Sequence, residues 1–305
     1  MSTTVTHTSE THQVVTDAVA HMKKMMDEQT LPGIALCAVG GLNYVLQHTK
    51  ALARHELSQE LQGTINNMQR LYPYSLTLKC SCDLYMHFIN QARTVSDFSA
   101  VLSNLRRSGE TIQNRLLQCR DKIVTNCSSF IRPSITILTH GMSMVVNKIL
   151  VAHKNYNFKL IVTESQPYNY GKDVVNYLKS QNVKFEIELI TDSAVAYKMK
   201  EVNFVLVGSQ TLVKAGGSIN SVGTYNIALI AKHFNVPVYV AAECFKFSDI
   251  YPIEQTDVNE TLFENPTHKI LYDYTPPQMI SLIFSDLAVF TPSAVADELI
   301  KLYEG

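Results

Sequence analysis

From residue 135 onward, short apolar runs rich in β-branched residues alternate with helical stretches, and few architectures satisfy that pattern. The runs are ITILT (135–139), FKLIVT (158–163), KFEIELI (184–190), NFVLVG (203–208), VPVYVAA (236–242) and LAVF (287–290). Stretches such as MSMVVNKILVAHK and DVVNYLKSQN lie between the first five. A continuously apolar strand is one with both faces buried, and intervening helices are what cover those faces. The pattern predicts a Rossmann-like, doubly wound, mainly parallel sheet over residues 133–305. Its ligands would sit beyond the carboxyl ends of the strands.

The chain before that boundary reads differently. Val15, Ala18, Met22 and Met26 recur at helical spacing. Pro32 suits a first helical turn ahead of GIALCAVGGLNYVLQH, and Pro73 breaks the chain before a helix near LTLKCSCDLYMHFI. Two further amphipathic stretches, RHELSQELQGTINNMQRL and DFSAVLSNLRRSGETIQNRLLQCRDKIVTNCSSFI, complete a helical domain over 14–132. The methionines of its stripe are read as core. Residues 1–13 (MSTTVTHTSETHQ) are polar and are expected to form a flexible tail. They lack the apolar segment of a signal peptide. Arg132-Pro133-Ser134 marks the boundary, so the chain as a whole is expected to be α/β.

Composition excludes more than it identifies. No apolar run reaches the roughly 18–20 residues of a membrane span. A formal net charge of −1 gives no reason to expect direct nucleic-acid binding. The cysteines at 37, 80, 82, 119, 127 and 244 are scattered, with no second pair at zinc spacing, so no metal site is expected and the thiols are read as reduced. The charge is unevenly spread. Residues 1–134 carry 13 Lys+Arg against 10 Asp+Glu, residues 135–305 carry 13 against 17, and every arginine lies at or before Arg132. That asymmetry is either drift between two domains or a basic face for an acidic partner.

Polar segments close four of the strands. They are Thr139-His140-Gly141-Met142-Ser143, then Thr163-Glu164-Ser165-Gln166-Pro167, then Thr191-Asp192-Ser193-Ala194, and Gly208-Ser209-Gln210. The last runs into a Gly-rich stretch containing Gly216, Gly217, Asn220, Gly223 and Thr224, read as a loop opening a helix. Amides at a helix start can cradle an anion. Neither GxxxxGK[ST] nor GxGxxG is present, which argues against a Walker loop and a dinucleotide. Each segment alone reads as a turn. Four on one sheet edge predict a small-ligand pocket.

The motifs TILTHGMSMVV, IVTESQP, TDSAVAY, VLVGSQTLVKAGGSINSVGTYNIALIAK and VPVYVAAECFKF resemble, in order, those of the initiation-factor-two-B alpha/beta/delta family. That family includes methylthioribose-1-phosphate isomerase and ribose-1,5-bisphosphate isomerase. The closing YDYTPPQMISLIFSDLAVFTPSAVADELIKLYEG resembles its alpha branch. The resemblance covers residues 70–305 well and the earlier helices loosely.

The resemblance also shows departures. The isomerases' catalytic Cys position matches Gly141 here, and their catalytic Asp position matches Gln210. Glycine has no side chain and an amide does not titrate near neutrality, so neither moves a proton between sugar carbons. The phosphate-binding Asn-Lys is matched by Asn220-Ser221, and the Ser-Leu-Arg phosphate motif by Leu78-Lys79. His140, a lone imidazole without a nucleophile, is read as structural. The resemblance therefore implies a non-catalytic protein that requires no cofactor. Lys79, His140, Gly141, Thr163, Glu164, Gln166, Asp192, Ser193, Gly208, Gln210, Gly217, Asn220, Gly223 and Thr224 would line a weakened sugar-phosphate or nucleoside-monophosphate site. It further implies a cytosolic regulatory subunit of the guanine-nucleotide exchange factor for translation initiation factor two. Such a subunit pairs with itself through its sheet domain. It joins beta and delta regulatory subunits and the catalytic gamma and epsilon subunits, and it helps sense the phosphorylated alpha subunit of factor two. Arg70, Asn90, Arg93 and the C-terminal Tyr303 are the surface residues expected to serve that contact. Two other readings remain at this stage: a free-standing sugar-phosphate or nucleotide sensor, and an isomerase with a displaced catalytic pair.

Overall fold

The computed structural model describes residues 3–28, 33–91, 98–260 and 270–304, and Pro32 and Arg93 lie outside these. The chain divides into two compact units, Met1–Gln118 and Cys119–Gly305.

The first unit is helical: α1 (Thr3–Glu28), α2 (Ile34–His48), α3 (Arg54–Leu71), α4 (Leu76–Gln91) and the larger part of α5 (Phe98–Cys127). Helix α2 is its centre and packs on α1, α3 and α4. Cys37, Ala38, Leu42, Val45 and Leu46 on α2 are fully buried, as are Ala18 and Met22 of α1. Of the predicted stripe, Val15, Ala18 and Met22 are buried in the core and Met26 is half-buried. The one buried amide on α2, Asn43, is satisfied on every side. Its Nδ2 donates to Gly109 O at 3.0 Å and Gln113 Oε1 at 2.9 Å, and its Oδ1 accepts from Tyr85 OH at 2.7 Å. Within the stretch expected as a tail, residues 1–13, α1 is helical from Thr3 onward. Once the packed turns after Val15 exist, each residue added to the helix gains a backbone hydrogen bond without a new nucleus.

The second unit holds β1 (Thr136–Thr139), α6 (Met144–Ala152), β2 (Lys159–Thr163), α7 (Tyr170–Ser180), β3 (Glu186–Ile190), α8 (Val195–Lys198), β4 (Phe204–Val207), β5 (Thr211–Val213), β6 (Ser218–Ser221), α9 (Thr224–His233), β7 (Val238–Ala241), β8 (Phe247–Ser248), α10 (Gln255–Glu260), β9 (Tyr272–Thr275), β10 (Leu282–Phe284), β11 (Val289–Phe290) and α11 (Val295–Glu304). Seven strands form one sheet in the order β11-β10-β7-β4-β1-β2-β3. Every pair is parallel except β10–β11. Strand alternation builds the two cores. Ile137, Leu160, Val162, Phe204 and Leu206 point to the face covered by α6, α7 and the last turns of α5. Leu138, Ile161, Val205 and Val207 point to the face covered by α8, α9 and α11. The expected doubly wound sheet is present.

Three expectations are corrected. LAVF (287–290) is not the sixth parallel strand. That strand is β10, and LAVF supplies only the two-residue antiparallel edge β11. The Gly-rich stretch after β4 is not loop throughout: Gly216 and Gly217 lie in a turn, and strands flank them on both sides. Residues 211–221 form an antiparallel hairpin, β5–β6, which joins β8 and β9 in a second sheet of order β8-β5-β6-β9. The division between units falls inside α5 rather than at Arg132, because Ile123 and Cys127 pack into the core of the sheet unit.

Candidate functional site

The strand order places β1 beside β4, with the chain winding outward on both sides. That junction is the switch point at which doubly wound sheets bind ligands. His140 and Gly141 follow β1, Thr163 ends β2 and Glu164 follows it, Gly208 and Gln210 follow β4, and Asp192 and Ser193 follow β3. His140, Gly141, Thr163, Gly208, Gly217, Asn220 and Thr224 are buried, Glu164, Asp192, Gln210 and Gly223 are half-buried, and Gln166 and Ser193 are exposed. Lys79 belongs to the helical unit, on α4, and is exposed.

His140 is locked in one tautomer. Its Nε2 lies 2.9 Å from Val222 O, which can only accept, so Nε2 carries the proton. Its Nδ1 then accepts from Thr163 Oγ1 at 2.6 Å. Burial holds the ring's pKa below the ordinary 6.5, while the Val222 carbonyl and the Asp192 carboxylate, 3.7 Å away, pull the other way. Ser165 Oγ is 3.5 Å from Nε2. A Ser-His-Asp reading of this cluster fails on that tautomer. The nitrogen near the serine is a donor already committed to a carbonyl, so it cannot take the serine's proton. The imidazole is a structural tie between β1, β2 and the approach to α9.

Several backbone donors at this edge are also in use. Asp192 accepts from the amides of Ser165 at 2.9 Å and Gln166 at 2.8 Å. At the start of α9, Asp273 Oδ2 accepts from the amides of Gly223 at 2.7 Å and Tyr225 at 3.0 Å. The β6–β9 register, Asn220 opposite Asp273, brings that carboxylate to the helix end. Burial pushes the Asp273 carboxyl up to about 7 despite the two amides. Thr224 Oγ1 donates to Ser221 O at 2.7 Å and accepts from Asn220 Nδ2 at 3.2 Å. Gly217 lies in the turn between β5 and β6, packed against Tyr274 and Thr275 of β9.

Two glycines among the candidate site residues take a left-handed backbone. Gly141 has φ +75°, and a Cβ there would meet Ser221 Oγ at 3.2 Å. Gly223 has φ +107°, and a Cβ there would meet His140 Cε1 at 2.8 Å. The backbone at Gly141 thus takes a left-handed conformation that side chains disfavour.

Sequence reading missed the charged cluster behind this edge. Glu243, the second residue after β7, is wholly buried. Arg120 Nε lies 2.9 Å from its Oε1 and Lys246 Nζ 3.0 Å from its Oε2. Lys246 also donates to Ser209 O at 2.9 Å, tying the cluster to the end of β4. Burial alone would raise the Glu243 pKa, but Lys246 and Arg120 overcome it and bring it to about 2. Its place at the end of a parallel strand was the available signal. No group of three or more His, Cys, Asp or Glu able to hold a metal occurs among the described residues.

Two concavities of the helical unit include residues expected at the partner surface. One lies between α1 and α3 and includes Arg70, and the other lies among α3, α4 and α5 and includes Asn90. The side chain of Tyr303 lies outside the described residues, though its backbone is in α11.

Residues 27–292 match the Initiation factor 2 subunit family. Among similar proteins, translation initiation factor eIF2B subunit alpha of Dictyostelium discoideum is 36% identical over 311 residues, 93% of this chain and 96% of that one. The subunit of the same name from Caenorhabditis elegans is 33% identical over 93% of this chain and 98% of its own. Ribose 1,5-bisphosphate isomerase of Archaeoglobus fulgidus is 30% identical over 65% of this chain and 72% of its own. In three dimensions the chain resembles eIF2B-beta2-delta2 from C. thermophilum, with TM-score 0.76, 20% identity, and coverage of 99% of this chain and 100% of that one. The chain belongs to the Initiation factor 2 subunit family.

Proposed function

We propose that this chain is a non-catalytic, regulatory alpha-type subunit of the guanine-nucleotide exchange factor for translation initiation factor two. The observation that carries this is likeness to two alpha subunits over 93% of the chain, coupled with Gly141 and Gln210 at the isomerase positions. A left-handed glycine and an amide leave the strand edge without the proton-transferring pair. In this reading the chain is cytosolic and pairs with itself through the sheet unit. It joins the beta, delta, gamma and epsilon subunits, and its helical half helps discriminate factor two with a phosphorylated alpha subunit. A phosphoserine adds about −1.5 to −2 charges, and an excess of cations in that half suits such a partner.

Reconstitution tests it. Exchange on factor two is measured with and without this chain, using unphosphorylated and phosphorylated factor two. Inhibition by the phosphorylated form is expected to depend on the chain. Unchanged inhibition in its absence would overturn the regulatory role.

A weak sugar-phosphate or nucleoside-monophosphate site at the strand ends is a second reading, favoured by the polar residues gathered there. The amides of Gly223 and Tyr225 already serve Asp273. Each charge-assisted contact thus forgone is worth about 1.5–3 kcal/mol, and calorimetry should find roughly micromolar to millimolar dissociation constants. Nanomolar binding would contradict the reading, and no binding at millimolar ligand would mean that the pocket is vestigial.

A further inference from the structure

The concavity between α1 and α3 has a volume of about 370 Å³ and a mainly apolar lining, with Val19, Ala20 and Leu71 bordered by Asn67, Lys23 and Arg70. No acidic residue among the described residues lines it. Neither Lys23 nor Arg70 has an ion-pair partner among the described residues. The other cation of that helix turn, Lys24, is 3.7 Å from Glu28. Asp27 lies one turn beyond Lys23 and makes no ion pair with it.

Size alone would admit a small ligand, since such sites run from about 300 to 1,000 Å³. Enclosure decides otherwise. Ala20, Lys23, Arg70 and Leu71 are all exposed, and Leu71 keeps 42% of its surface in water. A small ligand needs roughly 70–90% of its surface covered, which an open trough does not provide. One turn of a partner's helix fits such an opening, seating apolar residues four apart on the floor and leaving its outer side in water. Helix-in-groove binding needs apolar anchors spaced three or four residues apart over an apolar floor. The stretch of α1 from Val19 to Lys23 offers about one turn of that floor, near 6 Å.

We infer that the α1–α3 groove is a docking surface for an acidic amphipathic helix of a partner protein, its apolar face on Val19, Ala20 and Leu71 and its carboxylates toward Lys23 and Arg70. Both cations lie beside apolar surface, so an acidic flank is selected over a basic one. This surface is separate from the strand-end cluster and does not depend on the regulatory reading.

The test is selection of displayed helical peptides of about 15 residues, a length at which isolated helices become marginal, on the full-length chain. Recovered peptides should carry Asp or Glu flanking apolar residues four apart. Their affinity should fall about tenfold or more on K23E/R70E, because two exposed attractions become repulsions. It should weaken with added salt. L71D should weaken binding similarly, and K232E on the sheet unit should leave it unchanged. All four positions are exposed, and circular dichroism checks that the variants remain folded. Recovery of neutral or basic peptides, recovery of none, or equal affinity for K23E/R70E would overturn the inference.

Discussion

Asp273 Oδ2 lies 2.7 Å from the backbone nitrogen of Gly223, fifty residues away in sequence, and caps the N-terminal end of α9. The carboxylate occupies two donors of α9 from within the chain. An external phosphate at those amides would have to displace it.

The Asp273 carboxyl is pushed up to about 7 by burial, from an ordinary 3.8. A raised acid binds its proton more tightly folded than unfolded. The stability it contributes is therefore present below about pH 4 and is lost as pH rises to about 7. D273N keeps an acceptor without the charge and should flatten that slope. D273A leaves two amides without their acceptor and should cost about 1–3 kcal/mol. Urea unfolding between pH 4 and 8 checks both, and a wild-type slope in D273N would assign the titration elsewhere.

His140 is held neutral by burial, with its pKa below 6.5. For a base, that stability is present above pH 6.5 and is lost as pH falls below it. H140Q retains a donor and an acceptor and should reduce the loss on the acid side. H140A should cost about 2–4 kcal/mol, from a cavity and an unpaired Val222 carbonyl. Thermal melts at pH 5 and 7.5 separate the two variants.

Glu243, like His140 and unlike Asp273, loses its contribution on the acid side. Its pKa near 2, set by Lys246 and Arg120 against burial, gives stability that is present above about 4.5 and is lost toward pH 2. E243Q leaves Arg120 and Lys246 without their counter-charge and should cost about 3–5 kcal/mol at pH 7. Denaturant midpoints for wild type and E243Q give the difference directly, and a loss below 1 kcal/mol would show that the cluster relaxes into solvent.

Gly141 predicts chemistry as well as stability. The purified chain should not turn over methylthioribose 1-phosphate or ribose 1,5-bisphosphate. G141C should cost about 1–2 kcal/mol, because φ +75° disfavours any side chain there. A coupled assay showing turnover that H140Q abolishes would contradict the non-catalytic reading.

Alternation of apolar runs with helical stretches was enough to determine the doubly wound sheet, because burial on both faces leaves no other home for strands such as FVLV and KLIVT. The methionine spacing likewise determined a helical core around α2. Residues at strand ends were legible as a group, since a parallel sheet delivers them to one edge. What each does was not legible. VLVGSQTLVKAGGSIN reads locally as strand and loop, and only pairing with β8 and β9 makes it a hairpin. Asp273 in YDYTPP carries no local sign of capping a helix fifty residues earlier. Glu243 acquires two cations only when α5 and the turn after β7 converge on it. Periodicity reports which side of an element meets the core, and that is a local property. Partners of polar atoms are set by strand register and crossover, which bring distant segments within hydrogen-bond reach and exist only in the folded chain.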